Sequence, residues 1–333
     1  DGGLIALIAL VLQNTSLVIC LKLTFRDGAA PYTASTVVLV TELVKLIICL
    51  TVVAATYSTA DLLAVVGQVK NQGMLFVPSV LYVIQNNLLF FGAERLPSLL
   101  YISCSQTKIL TTAVTSRLIL GTQSNTKQYL CLMMLVFGIV LVQAQGDDAR
   151  STPSGSPVSS RFLGMFAVVM ASWTSALAGV VLEKIYKSSG SHGTTIAHTI
   201  WTRNVQLSLI SIPFAISVVY FKDISRFSPG SFLLGYDRFV WTVVMLQAAG
   251  GIIIAYVLKF ASNVLKCLAI AISICCCAVF SVVSGELIYS PSMMLGVLIV
   301  CVSVAGYNIS RPQHQIPEAP KRTQSESPFV DCD

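Results

Sequence analysis

Lys108 and Lys266 have the most chemistry to offer, because each is a cation set in strongly apolar sequence. Lys108 lies in YISCSQTKILTTAV and Lys266 in KFASNVLKCLAIAIS, at matching places in the two halves of the chain. A lysine at membrane depth costs roughly 2.5–3.5 kcal/mol on insertion scales. One alone reads equally well as a side chain snorkelling to the headgroups. Two at matching places read as a pair that holds an anion, which points to a negatively charged solute.

Other polar residues fall close by. Glu42 and Lys45 in VTELVKLIICL are three apart, so they share a helix face and can neutralise one another. They are either a structural ion pair or a lysine held ready for a phosphate. Gln85, Asn86 and Asn87 are consecutive amides in an apolar stretch. Successive helical residues point about 100° apart, so they cannot all face one neighbour. They serve as helix glue or as donors and acceptors for a base or sugar. Tyr101, Ser105 and Lys108 follow at i, i+4 and i+7, a stripe able to stack a base and hold a phosphate. Ser105 is equally suited to bond back to its own helix. Arg203 and Asn204 place polar groups in a later apolar stretch, and Gly250–Gly251, ahead of Lys259, Asn263 and Lys266, permits close backbone approach.

The elements that must carry these residues are membrane helices. Of 333 residues, 55% are hydrophobic and only 11% charged. Soluble domains carry about 25% charged residues. A membrane-spanning helix needs about 20 apolar residues. Ten such segments are predicted, at 3–21, 34–55, 73–92, 96–119, 127–145, 162–182, 197–220, 238–258, 264–286 and 291–309. The first is read as a span and not a signal peptide, since no basic n-region precedes it. The net charge of +6 is spread over loops, which suits a neighbour of anionic lipid and not a nucleic-acid binder. The basic residues divide evenly between the two sides, so charge alone leaves the orientation open.

Catalysis, metal binding and a cofactor are not expected. His192, His198 and His314 join no Ser/His/Asp set or metal spacing, and the few carboxylates near membrane depth, Glu42, Glu94, Glu183 and Glu286, sit mostly at span ends. The ten cysteines form no C-x-x-C pairs and read as packing residues. The sequons at Asn14 and Asn308 fall within spans, so their glycosylation is not expected.

Residues 146–160, GDDARSTPSGSPVSS, form the one clear linker, dividing 1–145 from 161–310. Five spans on each side put the halves in opposite orientations, the inverted-repeat plan of many transporters, whose site lies between the repeats near the midplane. The fold expected is therefore an all-α polytopic membrane protein with ten transmembrane helices in a 5+5 inverted repeat. Residues 311–333 read as a disordered polar tail.

Taken in order, the segments TELVKL, VPSVLYVIQNNLLF, QTKILTTAV, FGIVLVQ, LAGVVLEKIYKSS, WTRNVQLSLI and GGIIIAYVLKFASNVLK resemble the nucleotide-sugar transporter family. The branch is that of the CMP-sialic acid, UDP-galactose and UDP-N-acetylglucosamine carriers. The resemblance implies both termini in the cytosol and exchange of a nucleotide sugar for a nucleoside monophosphate across the Golgi membrane, or that of the ER. A homodimer is left open. By resemblance, substrate contacts fall on Asn86, Tyr101, Lys108, Asn204 and Lys266, with Gln85, Lys45, Gly250 and Gly251 nearby. Ser105 replaces a tyrosine of the family's usual pattern, which leaves the base contacts open; against the CMP-sialic acid pattern, Ser208 stands for a tyrosine and Ile254-Ala255 for a Thr-Ser pair. These departures favour a UDP-sugar exchanged for UMP. The alternatives are a CMP-sialic acid/CMP exchanger or a related carrier for another phosphorylated anion. A membrane glycosyltransferase would need positioned carboxylates, and a non-transporting scaffold would bind without flux.

Overall fold

The computed structural model describes residues 2–24, 32–56, 73–93, 95–96, 98–122, 124–143, 158–188, 196–222, 231–285 and 290–310. Among them the chain is all helix: α1 (Gly2–Thr24), α2 (Ala34–Thr56), α3 (Gly73–Ala93), α4 (Ser98–Ser105), α5 (Thr107–Leu120), α6 (Thr126–Gln143), α7 (Val158–Ser188), α8 (Ile196–Lys222), α9 (Arg238–Phe260), α10 (Asn263–Val283) and α11 (Pro291–Ile309). Eight of these, all but α3, α4 and α5, are long and apolar enough to cross a membrane. Each predicted segment coincides with a helix, the fourth in two pieces. In hydrocarbon every backbone group needs an internal partner, which is why apolar runs of this length become helices.

The break between α4 and α5 falls at Gln106, whose N–H still reaches the Ile102 carbonyl while Ile109 N–H takes the Gln106 carbonyl, a tightened turn. The Tyr101–Ser105–Lys108 stripe therefore crosses an interruption and does not run along one regular helix. α7 is longer than its predicted segment: Val158–Ser160, assigned to the linker, already belong to it. The rest of the linker, the tail after Ser310, Glu94 and Glu286 lie outside the described residues.

Local signals set the ends. Asp237 caps α9 by accepting from Phe239 N–H at 3.0 Å and Val240 N–H at 2.9 Å. Gly121 ends α5 at φ 66°, a left-handed cap that glycine adopts without strain. Only Ala261 and Ser262 join α9 to α10, and the Ser262 hydroxyl accepts from Leu265 N–H. This tight hairpin sets Lys266 one turn into α10.

Five helix pairings dominate: α6 with α11, α3 with α7, α1 with α9, α2 with α8, and α5 with α7. α6 and α11 approach at Gly138 and Gly296, where an added Cβ would meet the opposite carbonyl at about 3 Å. Several buried hydroxyls bond within their own helices, as Thr112 and Thr115 show by donating to Lys108 O and Thr111 O. The largest apolar cluster joins α1, α5, α6, α9, α10 and α11. A second, with Leu75, Leu182, Tyr186, Ile200 and Leu258, ties α3, α7, α8 and α9 together. Gly3 and Asn308 border one groove, so the first and last helices have their terminal ends on the same side.

Candidate functional site

α5 and α10 bring the two lysines together. Ile109 and Ala113 of α5 share a cluster with Val264, Leu265 and Leu268 of α10, and Cys267 Sγ lies 3.9 Å from Thr112 Oγ1. The ammoniums of Lys108 and Lys266 lie within electrostatic reach of one another. Lys266 is only 8% exposed, and Lys108 is half-buried. Like charges within reach of one another in a low-dielectric interior repel, and an anion between them relieves that repulsion.

Two cavities of about 290 and 250 Å³ both border Val38 and Glu42. The larger lies among α1, α2, α9 and α10, lined by Gln13, Asn14, Thr41, Lys45, Gln247, Gly250 and Gly251. The smaller lies among α2, α3 and α8 and is lined by Ser79, Tyr82, Ser211 and Phe214. Tyr82 reaches both features, bordering this cavity and standing within electrostatic reach of Lys108. Sequence reasoning did not single it out, since a tyrosine within VLYVIQ looks like one more packing side chain, nor did it single out Gln13 and Gln247 of the larger cavity.

Lys45 is buried and forms a 2.8 Å ion pair with Glu42 Oε1, so the i,i+3 pairing holds. Glu42 Oε2 is buried and has no partner among the described residues. The two glycines leave little room beside this cavity. A Cβ at Gly250 would meet Gln13 Nε2 at 2.6 Å, and one at Gly251 would meet Lys45 Cδ at 3.0 Å. Gln13 is held there by donating to the Leu246 carbonyl at 2.9 Å. Asn14, one of the two sequon residues, donates to Ser273 Oγ at 2.5 Å inside the bundle.

The remaining expected contacts are more dispersed. Gln85 carries a buried Oε1 without a partner among the described residues, while the Asn86 side chain lies outside them. Tyr101 packs with Leu96, Leu100, Cys104 and, on α7, Met165 and Val168. The Ser105 hydroxyl donates to the Ile102 carbonyl at 2.7 Å, the back-bonding alternative. Asn204, 1% exposed, donates to the Ile200 carbonyl at 3.0 Å, and one turn on, the buried Ser208 Oγ has no partner among the described residues. Ile254 borders the larger cavity, and Ala255 is buried in the α3–α7–α8–α9 cluster.

The lysines and the two cavities thus lie within one bundle, eight of whose helices are long and apolar enough to cross a membrane. A family model described as Nucleotide-sugar transporter matches residues 3–308. The chain belongs to the nucleotide-sugar transporter family. Three relatives are named as transporters of UDP-sugars. The UDP-N-acetylglucosamine/UDP-N-acetylgalactosamine transporter of Caenorhabditis elegans is 35% identical over 89% of this chain and 90% of its own. The UDP-N-acetylglucosamine transporter of Rattus norvegicus is 35% identical over 80% and 82%. The UDP-galactose transporter of Schizosaccharomyces pombe is 33% identical over 91% and 86%. A solved crystal structure superposes with a TM-score of 0.64 over 93% of this chain and 98% of that one, at 13% identity, which shows a shared fold.

Proposed function

We propose that this nucleotide-sugar transporter carries a UDP-sugar, UDP-N-acetylglucosamine or UDP-galactose, into the Golgi lumen in exchange for UMP. The observation that carries the reading is the placement of Lys108 and Lys266 within electrostatic reach of one another inside the helical bundle. Relatives named for UDP-N-acetylglucosamine and UDP-galactose, at 35% and 33% identity, support the nucleotide. Ser208 and Ile254-Ala255, where the CMP-sialic acid pattern differs, point the same way.

In this reading the lysine pair takes the phosphates, which sugar donor and monophosphate have in common. Tyr82, Tyr101 and the amides of Gln85, Asn86 and Asn204 take the nucleoside. The cavity with Gln13, Asn14, Lys45, Gly250 and Gly251 takes the sugar, whose hydroxyls need both donors and acceptors. Two neighbouring cations without a bound anion make the empty site unfavourable, and a bound anion lowers the barrier to reorientation.

A 5+5 inverted repeat supplies the two-sided motion. Helix pairing supports it. Exchanging α1 with α7, α2 with α8, α3 with α9, α4/α5 with α10 and α6 with α11 turns the α1–α9 pair into α7–α3. The same exchange turns α1–α10 into α7–α5 and α2–α9 into α8–α3, and maps α2–α8 and α6–α11 onto themselves; each of these pairings is present.

The test is uptake of labelled UDP-N-acetylglucosamine, UDP-galactose and CMP-sialic acid into proteoliposomes loaded with UMP or CMP. Saturable uptake of a UDP-sugar that depends on internal UMP is expected. Uptake that depends on CMP, or no uptake by folded protein, overturns the assignment.

A further inference from the structure

Glu183 is a carboxylate where a transporter for anions has least use for one. It lies on α7 with 0% exposure, deeper than any span-end residue needs to be. A buried carboxylate is unfavourable unless both oxygens are engaged and a cation is near. Each oxygen has its own partner. Oε1 pairs with Lys187 Nζ at 2.5 Å. Oε2 accepts from the backbone N–H of Asn263 at 2.8 Å, eighty positions along the chain. Asn263 opens α10, so the carboxylate sits on the N-terminal end of the helix that carries Lys266, where the helix dipole favours negative charge.

The α9–α10 hairpin is clamped to α7 at two more points. Lys259 Nζ donates to the Tyr186 carbonyl at 2.8 Å. At Gly179 an added Cβ would collide with the Asn263 side chain, so the helices meet without room for one. The clamp ends one helical turn from Lys266. Lys266 is itself buried and lies within electrostatic reach of Glu183.

We infer that Glu183 is a positioning residue and the internal counter-ion of Lys266: it anchors the first turn of α10 and opposes the lysine's charge while the site is empty. This rests on the reading that Lys266 binds phosphate. An incoming phosphate then competes with Glu183 for Lys266, so the carboxylate weakens substrate binding while easing release and the return of the empty carrier. Its anchoring and electrostatic roles are separable, because glutamine keeps an acceptor for the Asn263 N–H and removes only the charge, whereas alanine removes both.

The experiment measures UMP binding to purified protein in detergent, and exchange against zero-trans uptake in proteoliposomes, for Glu183→Gln, Glu183→Ala, Lys266→Gln and the Glu183→Gln/Lys266→Gln pair. Glu183→Gln is expected to tighten UMP by about two- to tenfold, the lower part of the coupling range between interacting residues, and to lower zero-trans uptake relative to exchange. Glu183→Ala is expected to bind UMP more weakly than Glu183→Gln. In the Lys266→Gln background, Glu183→Gln is expected to lose most of its effect on UMP. Unchanged UMP affinity in folded Glu183→Gln, with Lys266→Gln weakened, overturns the counter-ion role alone. Unchanged affinity in Lys266→Gln overturns the phosphate reading beneath it. If Glu183→Gln does not fold, recovery of folded protein in the paired variant supports the ion pairing, and failure to recover it overturns that pairing.

Discussion

Lys108 and Lys266 have one feature that a lipid-facing lysine lacks, a cationic neighbour within the bundle. Losing either should abolish exchange without unfolding the protein. Lys108→Ala or Lys266→Ala is expected to weaken UMP binding by about ten- to a hundredfold, the range for a charged hydrogen bond. Isothermal titration in detergent checks this, with size-exclusion profiles matching the parent. Retained exchange in either variant would remove the phosphate role. The cavity wall is as exacting. A side chain at Gly250 meets Gln13 Nε2 at 2.6 Å, and Gln13 is tied to Leu246. Gly250→Val should therefore raise KM for the nucleotide sugar, measured as initial uptake, while the protein still folds. Tyr82 was not legible as a site residue, and Glu183 only as one carboxylate near a span end. Nothing local separates Tyr82 from a packing aromatic. The burial of Glu183 comes from a hairpin eighty positions further along the chain.

Helices were the most legible level, because apolar length alone dictates hydrogen-bonded helix in a membrane. The break at Gln106 was not, since its neighbours Ser105 and Thr107 are unremarkable and both donate back to carbonyls three residues before them. That break matters to function, because it lies between Tyr101 and Lys108 and rules out reading them as one regular stripe. The α6–α11 seam has no direct part in the lysine site. A larger residue at Gly296 must push against the Gly138 carbonyl, 2.8 Å from the would-be Cβ. Gly296→Leu is expected to destabilise the fold by about 1–3 kcal/mol, as overpacking does. Thermal unfolding in detergent should show a lower midpoint, with UMP affinity of the folded fraction unchanged.

For the whole carrier, exchange and net uptake should differ. An empty site with paired lysines is costly to move through the closed intermediate, and a bound anion removes that cost. Vesicles loaded with UMP should therefore take up UDP-sugar several-fold faster than empty ones; equal rates would exclude obligatory exchange. Composition and apolar periodicity were enough to specify a polytopic helical membrane protein, because hydrocarbon satisfies no backbone group and admits few charges. Two cations in apolar sequence were enough to suggest an anion. Which charges meet was another matter. The approach of α5 to α10, the cavity walled by Gln13 and Gly250, and the seating of Glu183 on the first turn of α10 all join residues far apart in the chain. Helix packing alone sets those distances, and at close range in a low dielectric distance determines the energy of a charge.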